Sequence, residues 1–142
     1  MTDLEFAIEF SKRAHEGQTD KSGKPYFLHP EAVAAGVTSE KAKIAAYLHD
    51  TVEDTSVTLE VIRLLFGPEI GEIVDRLTHR PEESYMEYIH RAAGDPVARE
   101  IKISDLRHNM DVSRLPVIDE KAEKRMEKYR KAREYLMEVA QC

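Results

Sequence analysis

Apolar residues recur every three or four positions from Leu4 to Ala140, and no stretch shows the apolar-polar alternation of a half-buried strand. Such a pattern suits helices, because laid out as a strand it would scatter its apolar groups over both faces. An all-α fold of about eight helices is therefore expected. The six glycines and six prolines are scattered among the helical patterns and do not bound strands. At 142 residues the chain has the size of one domain, and such a chain buries roughly 70% of its unfolded surface. With no internal repeat, low-complexity tract or long linker, residues 1–142 are expected to form a single unit.

Charge and composition narrow the function. Twenty-one Lys and Arg against 27 Asp and Glu give a net charge of −6, which disfavours non-specific binding to nucleic acid. No apolar run approaches the ~18 residues of a membrane span. The opening Met-Thr-Asp-Leu-Glu carries acids where a signal peptide carries Lys or Arg. Cys142 stands alone and forms no internal disulfide. A cytoplasmic protein without membrane or nucleic-acid partners is expected.

Individual helices follow from their ends. Leu4, Ile8, Ser11 and His15 share a stripe that Gly17 terminates, so His15 is expected to point inward. Gln18 to Leu28 reads as an exposed loop bearing Lys21 and Lys24, followed by a short helix with Pro30 at its first position. Ser39-Glu40 opens a helix whose Ala42, Ala45, Ala46 and His49 make a narrow small-residue face. Further helices are expected over 58–66, 69–77 and 83–93, and another follows Asp95-Pro96 with Ala98, Ile101, Asp105 and His108 on one side. The last, about Asp119 to Ala140, keeps Ala122, Met126, Tyr129, Arg133, Leu136 and Ala140 near one face and reads as an outer brace. Its charges suggest pairs such as Glu120 with Lys124 and Glu127 with Lys131.

The densest chemistry lies around residue 50. If the helix carrying His49 continues, His49 stacks on Glu53 and Asp50 on Asp54. Three carboxylates so close repel one another unless a cation or a proton relieves them, and repulsion is expected to raise the pKa of one of Glu53 and Asp54. Imidazole with carboxylates suits Mn, Fe, Co, Ni or Zn, and the lack of a usable thiolate argues for a catalytic rather than a structural metal.

Three segments together carry a more specific signal: Pro25-Tyr26-Phe27-Leu28-His29-Pro30, Leu48-His49-Asp50-Thr51-Val52-Glu53-Asp54-Thr55 and Lys102-Ile103-Ser104-Asp105-Leu106-Arg107-His108-Asn109. In order and spacing they resemble the hydrolase domain of RelA/SpoT proteins and the small alarmone hydrolases, members of the HD superfamily. The resemblance runs from about residue 6 to 114, and only the terminal helix lies outside it. It implies one divalent metal, commonly Mn2+, held by His29, His49, Asp50 and Asp105, with Glu53 and Asp54 positioning or deprotonating the attacking water. The implied reaction is removal of the 3′-pyrophosphate of ppGpp or pppGpp, giving GDP or GTP. An acidic centre that receives a polyanion needs cations from its loops, so Lys21, Lys24 and Arg114 are expected substrate contacts, and the resemblance adds Ser22, in the loop before the His-Pro segment, and Asn109, which matches a residue that contacts the nucleoside.

Some positions depart from the family. Asp20 stands where relatives carry an Arg that stacks on guanine, which leaves the base clamp to Lys21 and neighbouring apolar groups. Asp105-Leu106-Arg107 replaces an Asp-Arg-Leu order, and Asp111 follows where a basic residue is usual. The alternatives are an HD phosphohydrolase acting on pApp or NADPH and a catalytically silent nucleotide-binding module. Of the other histidines, His108 is expected either behind Asp105 or capping a turn, and His79 and His90 at the surface. Tyr85, Met86, Tyr88 and Ile89 are expected to serve ordinary helix packing.

Overall fold

A computed structural model describes residues 1–111, 113 and 117–141. Among them are nine helices: α1 (Asp3–Ala14), α2 (Leu28–Ala35), α3 (Glu40–Leu48), α4 (Thr51–Asp54), α5 (Leu59–Phe66), α6 (Pro68–Arg76), α7 (Tyr85–Ala93), α8 (Pro96–Asn109) and α9 (Glu120–Ala140). The described residues contain no strand, and their one isolated β-bridge joins Thr19 to Pro25. Local chemistry starts most of these helices. Thr2 and Ser84 form capping boxes with Glu5 and Glu87, while the side chains of Ser39, Thr58, Asp95 and Asp119 accept from first-turn N–H groups.

Two boundaries depart from expectation. α2 begins at Leu28, so Pro30 is its third residue rather than its first. Proline is tolerated there because first-turn N–H groups have no intrahelical acceptor. The helix carrying His49 does not continue through Asp54. α3 ends at Leu48, Asp50 takes φ −100° and ψ −3°, and α4 is a separate single turn. The Thr51 hydroxyl donates to the Leu48 carbonyl at 2.8 Å, a carbonyl that a continuing helix would pair with the N–H of residue 52.

Two apolar clusters build the interior. The larger joins α1, α2, α3, α5 and α6 with one end of α8, and it is rich in alanine: Ala7, Ala34, Ala42, Ala45, Ala46 and Ala98 are buried. These small side chains let the backbones of α1 and α2 approach α3 closely. The smaller joins α7, α9 and the other end of α8 through Tyr88, Ile89, Leu106, Ala132 and Leu136. Helix α8 is thus the seam, with Ile101 in one cluster, Leu106 in the other and Asp105 between them. On α9 the buried stripe runs through Ala122, Met126, Ala132 and Leu136, whereas Arg133 and Ala140 are exposed. Glu120 pairs with Lys124 at 3.5 Å as expected, but Glu127 takes Arg130 at 2.6 Å.

Candidate metal centre

Side chains from three elements meet at the seam. His29 comes from the first turn of α2, His49 and Asp50 from the break between α3 and α4, and Asp105 from α8. All four are buried, and each offers one ligand atom within 4.8 Å of the others. His29 Nε2 lies 2.7 Å from Asp105 Oδ1 and 3.6 Å from Asp50 Oδ2; His49 Nε2 lies 3.4 and 3.2 Å from the same oxygens. First-row divalent ions bind such ligands at about 2.0–2.2 Å, so donors about 3 Å apart match neighbouring ligands on one ion.

The remaining atoms of these residues are tied down in the manner of metal ligands. His49 Nδ1 lies 2.6 Å from the Ala46 carbonyl, which can only accept, so Nδ1 carries a proton and Nε2 faces the centre. His29 Nδ1 lies 2.7 Å from His108 Nδ1, and the two rings stack at 4.9 Å. His108 therefore backs His29. Asp105 divides its oxygens: Oδ1 faces the histidines and receives Asn109 Nδ2 at 3.3 Å, while Oδ2 accepts from the buried Lys102 ammonium at 2.6 Å.

Electrostatics follow from this crowding. Burial opposes ionisation of Asp105, yet Lys102 and the histidine hydrogen bonds outweigh it and hold the carboxyl well below the ordinary range. Burial likewise disfavours the imidazolium of His49, but Asp50 and Asp105 prevail and push its pKa up to about 9. The arrangement attracts cations.

Asp50 also belongs to a second group with Glu53 and Asp54, again within 4.8 Å. Glu53 Oε1 accepts from the His79 backbone N–H at 2.7 Å. The Tyr26 hydroxyl donates to Asp50 Oδ2 at 2.7 Å and lies 3.3 Å from Asp54 Oδ2. Both Glu53 and Asp54 are shifted up, with partial burial as the largest cause in each and neighbouring carboxylates adding to it. Sequence spacing attributed the rise to repulsion and expected it in one residue.

Two cavities open on these groups. The inner one, about 320 Å³, is bounded by His29, Asp50 and Asp105 of the four-residue group and by Glu53, Asp54, His79, Lys102, Lys128 and three tyrosines besides Tyr26. The outer one, about 330 Å³, has Thr19, Asp20, Lys21 and Ser22 on one side and Arg125, Met126 and Tyr129 on the other. Tyr26, His29, Asn109 and Tyr129 line both. Of the expected substrate contacts, Lys21, Ser22 and Asn109 reach a cavity wall. Lys24 lines neither cavity, and its backbone closes the loop instead. Arg114 lies outside the described residues.

Several wall residues were not expected from sequence. His79 is not a surface residue: it is partly buried and stacks on Tyr88 at 5.0 Å. Tyr85 and Tyr88 do pack in the smaller cluster, but they also face the inner cavity. α9 is more than a brace, since it supplies Arg125, Lys128 and Tyr129. Spacings of three and four residues from Arg125 place Lys128 and Tyr129 on its helix flank, a signal that charge density on α9 concealed. Lys102, three residues before Asp105 on α8, was legible in the same way. Asp20 has a role within the loop: its Oδ1 accepts from Ser22 N, Ser22 Oγ and Lys24 N at 2.8–3.0 Å. Arginine has no acceptor and cannot hold this turn.

The HD domain family profile matches residues 7–133, reaching into α9 beyond the segment legible by motif. A probable GTP pyrophosphokinase of Mycobacterium leprae is 36% identical over 94% of this chain and 18% of its own length. A guanosine-3′,5′-bis(diphosphate) 3′-pyrophosphohydrolase of Aquifex aeolicus is 35% identical over 76% and 17%. The bifunctional (p)ppGpp synthase/hydrolase SpoT of Escherichia coli is 36% identical over 75% and 17%. This chain thus spans less than a fifth of these relatives. A solved structure of a metazoan orthologue of SpoT that hydrolyses ppGpp superposes with a TM-score of 0.77 at 25% identity, covering 94% of this chain and 84% of that one. The chain belongs to the HD domain family and, within it, to the RelA/SpoT-type branch.

Proposed function

We propose that this protein hydrolyses the 3′-pyrophosphate of ppGpp or pppGpp, with one divalent ion, Mn2+ in the first instance, held by His29, His49, Asp50 and Asp105. The observation that carries the reading is the juxtaposition of the buried group His29, His49, Asp50 and Asp105 with two further carboxylates, Glu53 and Asp54, on the wall of a cavity that continues past Asn109 into a second chamber. When bound, the ion supplies Lewis acidity toward phosphoryl oxygen and makes water more acidic. Glu53 and Asp54 border the same cavity, where a carboxylate orients water and accepts its proton as the oxygen bonds to the 3′-phosphorus and the 3′-oxygen departs. Upward-shifted carboxyls are better proton acceptors than ordinary ones. Lys21, Arg125 and Lys128 supply positive charge for a polyanion entering an acidic protein. The backing of His29 by His108, of His49 by Ala46 and of Asp105 by Lys102 keeps the ligand set in place before substrate arrives.

The test is to incubate Mn2+-loaded protein with ppGpp, pppGpp, pApp and NADPH and to resolve pyrophosphate from orthophosphate. Pyrophosphate from the guanosine nucleotides is expected. Orthophosphate from NADPH alone would redirect the substrate, and no release from any of them would overturn the reading.

A further inference from the structure

Tyr26 stands between the metal group and the carboxylates beside it. Its ring is half-buried, 4.9 Å from the ring of His15 and 5.8 Å from that of His29. Its single hydroxyl proton faces Asp50 Oδ2 at 2.7 Å and Asp54 Oδ2 at 3.3 Å. Those carboxylates flank the one-turn helix α4, Asp50 before its first residue and Asp54 as its last. Two like charges at the ends of so short a turn push each other apart, and a donor placed between them opposes that.

The backbone closes the same circuit. The Tyr26 N–H donates to the Gln18 carbonyl at 2.9 Å, and Gln18 Nε2 donates to the Asp54 carbonyl at 2.9 Å. Gln18 Oε1 accepts in turn from the buried His15 Nδ1 at 2.9 Å. The chain carrying Tyr26 and the turn carrying Asp54 are therefore clamped to one residue, Gln18, the first through its backbone carbonyl and the second through its side chain. The histidine ligands owe their orientation to other groups, His108 and Ala46, and Asp105 owes its orientation to Lys102.

We infer that Tyr26, braced by Gln18, is a positioning residue that fixes Asp54 relative to the proposed ligand Asp50 and so aligns one of the two water-handling carboxylates with the metal centre. This assignment rests on the hydrolase reading above and adds a role to it. Tyr26 makes no bond to substrate in this role; it acts through Asp54.

Tyr26→Phe keeps the ring and removes the proton. Expected are a kcat lower by about ten- to a hundredfold, the scale of one hydrogen bond to a charged group, and a KM within about threefold of wild type. Calorimetry with Mn2+ alone should give an affinity within about threefold, and rates are normalised to the folded fraction from thermal unfolding. Gln18→Ala should lower kcat by a smaller factor with the same unchanged Mn2+ affinity. A Tyr26→Phe kcat within twofold of wild type overturns the assignment. So does a loss confined to KM, or one fully restored by saturating Mn2+, because either makes the hydroxyl a support for substrate or for the ion. Gln18→Ala at full rate removes the brace. Wild-type protein that releases no pyrophosphate defeats the hydrolase reading itself, an outcome distinct from an active wild type with an equally active Tyr26→Phe.

Discussion

The inner and outer walls of the site are built on different terms. At the inner centre each buried residue of the proposed ligand set has a second partner: His29 has His108, His49 has the Ala46 carbonyl, Asp50 has the Tyr26 hydroxyl, and Asp105 has Lys102. The outer wall consists of an exposed loop folded around Asp20 and a flank of α9, which is buried along one stripe and exposed over most of the rest of its surface. Lys21 there is exposed, while Arg125, on α9, is partly buried. Rigid, doubly held groups suit the reacting centre, where small displacements are costly. Loosely held charges suit recognition, where affinity and selectivity can change without disturbing the chemistry.

The sharpest way to break this contrast is Asp105→Ala. It removes a ligand and leaves the Lys102 ammonium buried without its partner, so metal and activity should disappear together and stability should fall by about 3–5 kcal/mol. Metal content by mass spectrometry and chemical unfolding check both parts. Glu53→Ala comes next. Its carboxylate borders the inner cavity outside the four-ligand group, so the protein should retain metal and lose turnover by about 10²–10⁴-fold. Normal turnover would remove Glu53 from the handling of water.

A smaller effect separates protons from ligands. The folded-state pKa of His49, raised to about 9, keeps its Nε2 protonated at neutral pH when no ion is present. Binding must release that proton, so Mn2+ affinity should rise by about tenfold per pH unit below about 9 and level off above it. Calorimetry in two buffers of different ionisation enthalpy measures the proton released. The same shift has a consequence for the metal-free fold: its stabilising contribution is full below the unfolded value of about 6.5 and is lost as pH rises through about 9. The smallest effect belongs to the outer wall. Arg125→Ala should raise KM by about tenfold with kcat and metal content unchanged, consistent with the loss of one charged contact. A loss in kcat with unchanged KM would show that α9 takes part in the chemistry instead.

Much of the helical frame was legible because its signals are local. Ser39, Thr58, Asp95 and Asp119 cap the helices they were expected to open, since an N-cap acts within three residues of itself. The break after Leu48 was not legible, because it depends on a threonine hydroxyl competing for a carbonyl against a helix with no proline or glycine to stop it. His29, His49, Asp50 and Asp105 could be named from their motifs, whereas the partners behind them could not. For His108, helical spacing offered a place behind Asp105, three residues away, or a turn cap, and it says nothing of the His29 ring on α2 that His108 meets.

The sequence by itself determined the helical class, most helix starts and the residue types able to bind a metal, all consequences of periodicity and of contacts within about one turn. Tertiary structure decided which cavity those residues face and that α9 contributes to its wall. It also placed Tyr26 at the carboxylates. These depend on backbones converging from distant positions, and the convergence is set by which apolar faces bury together rather than by any spacing along the chain.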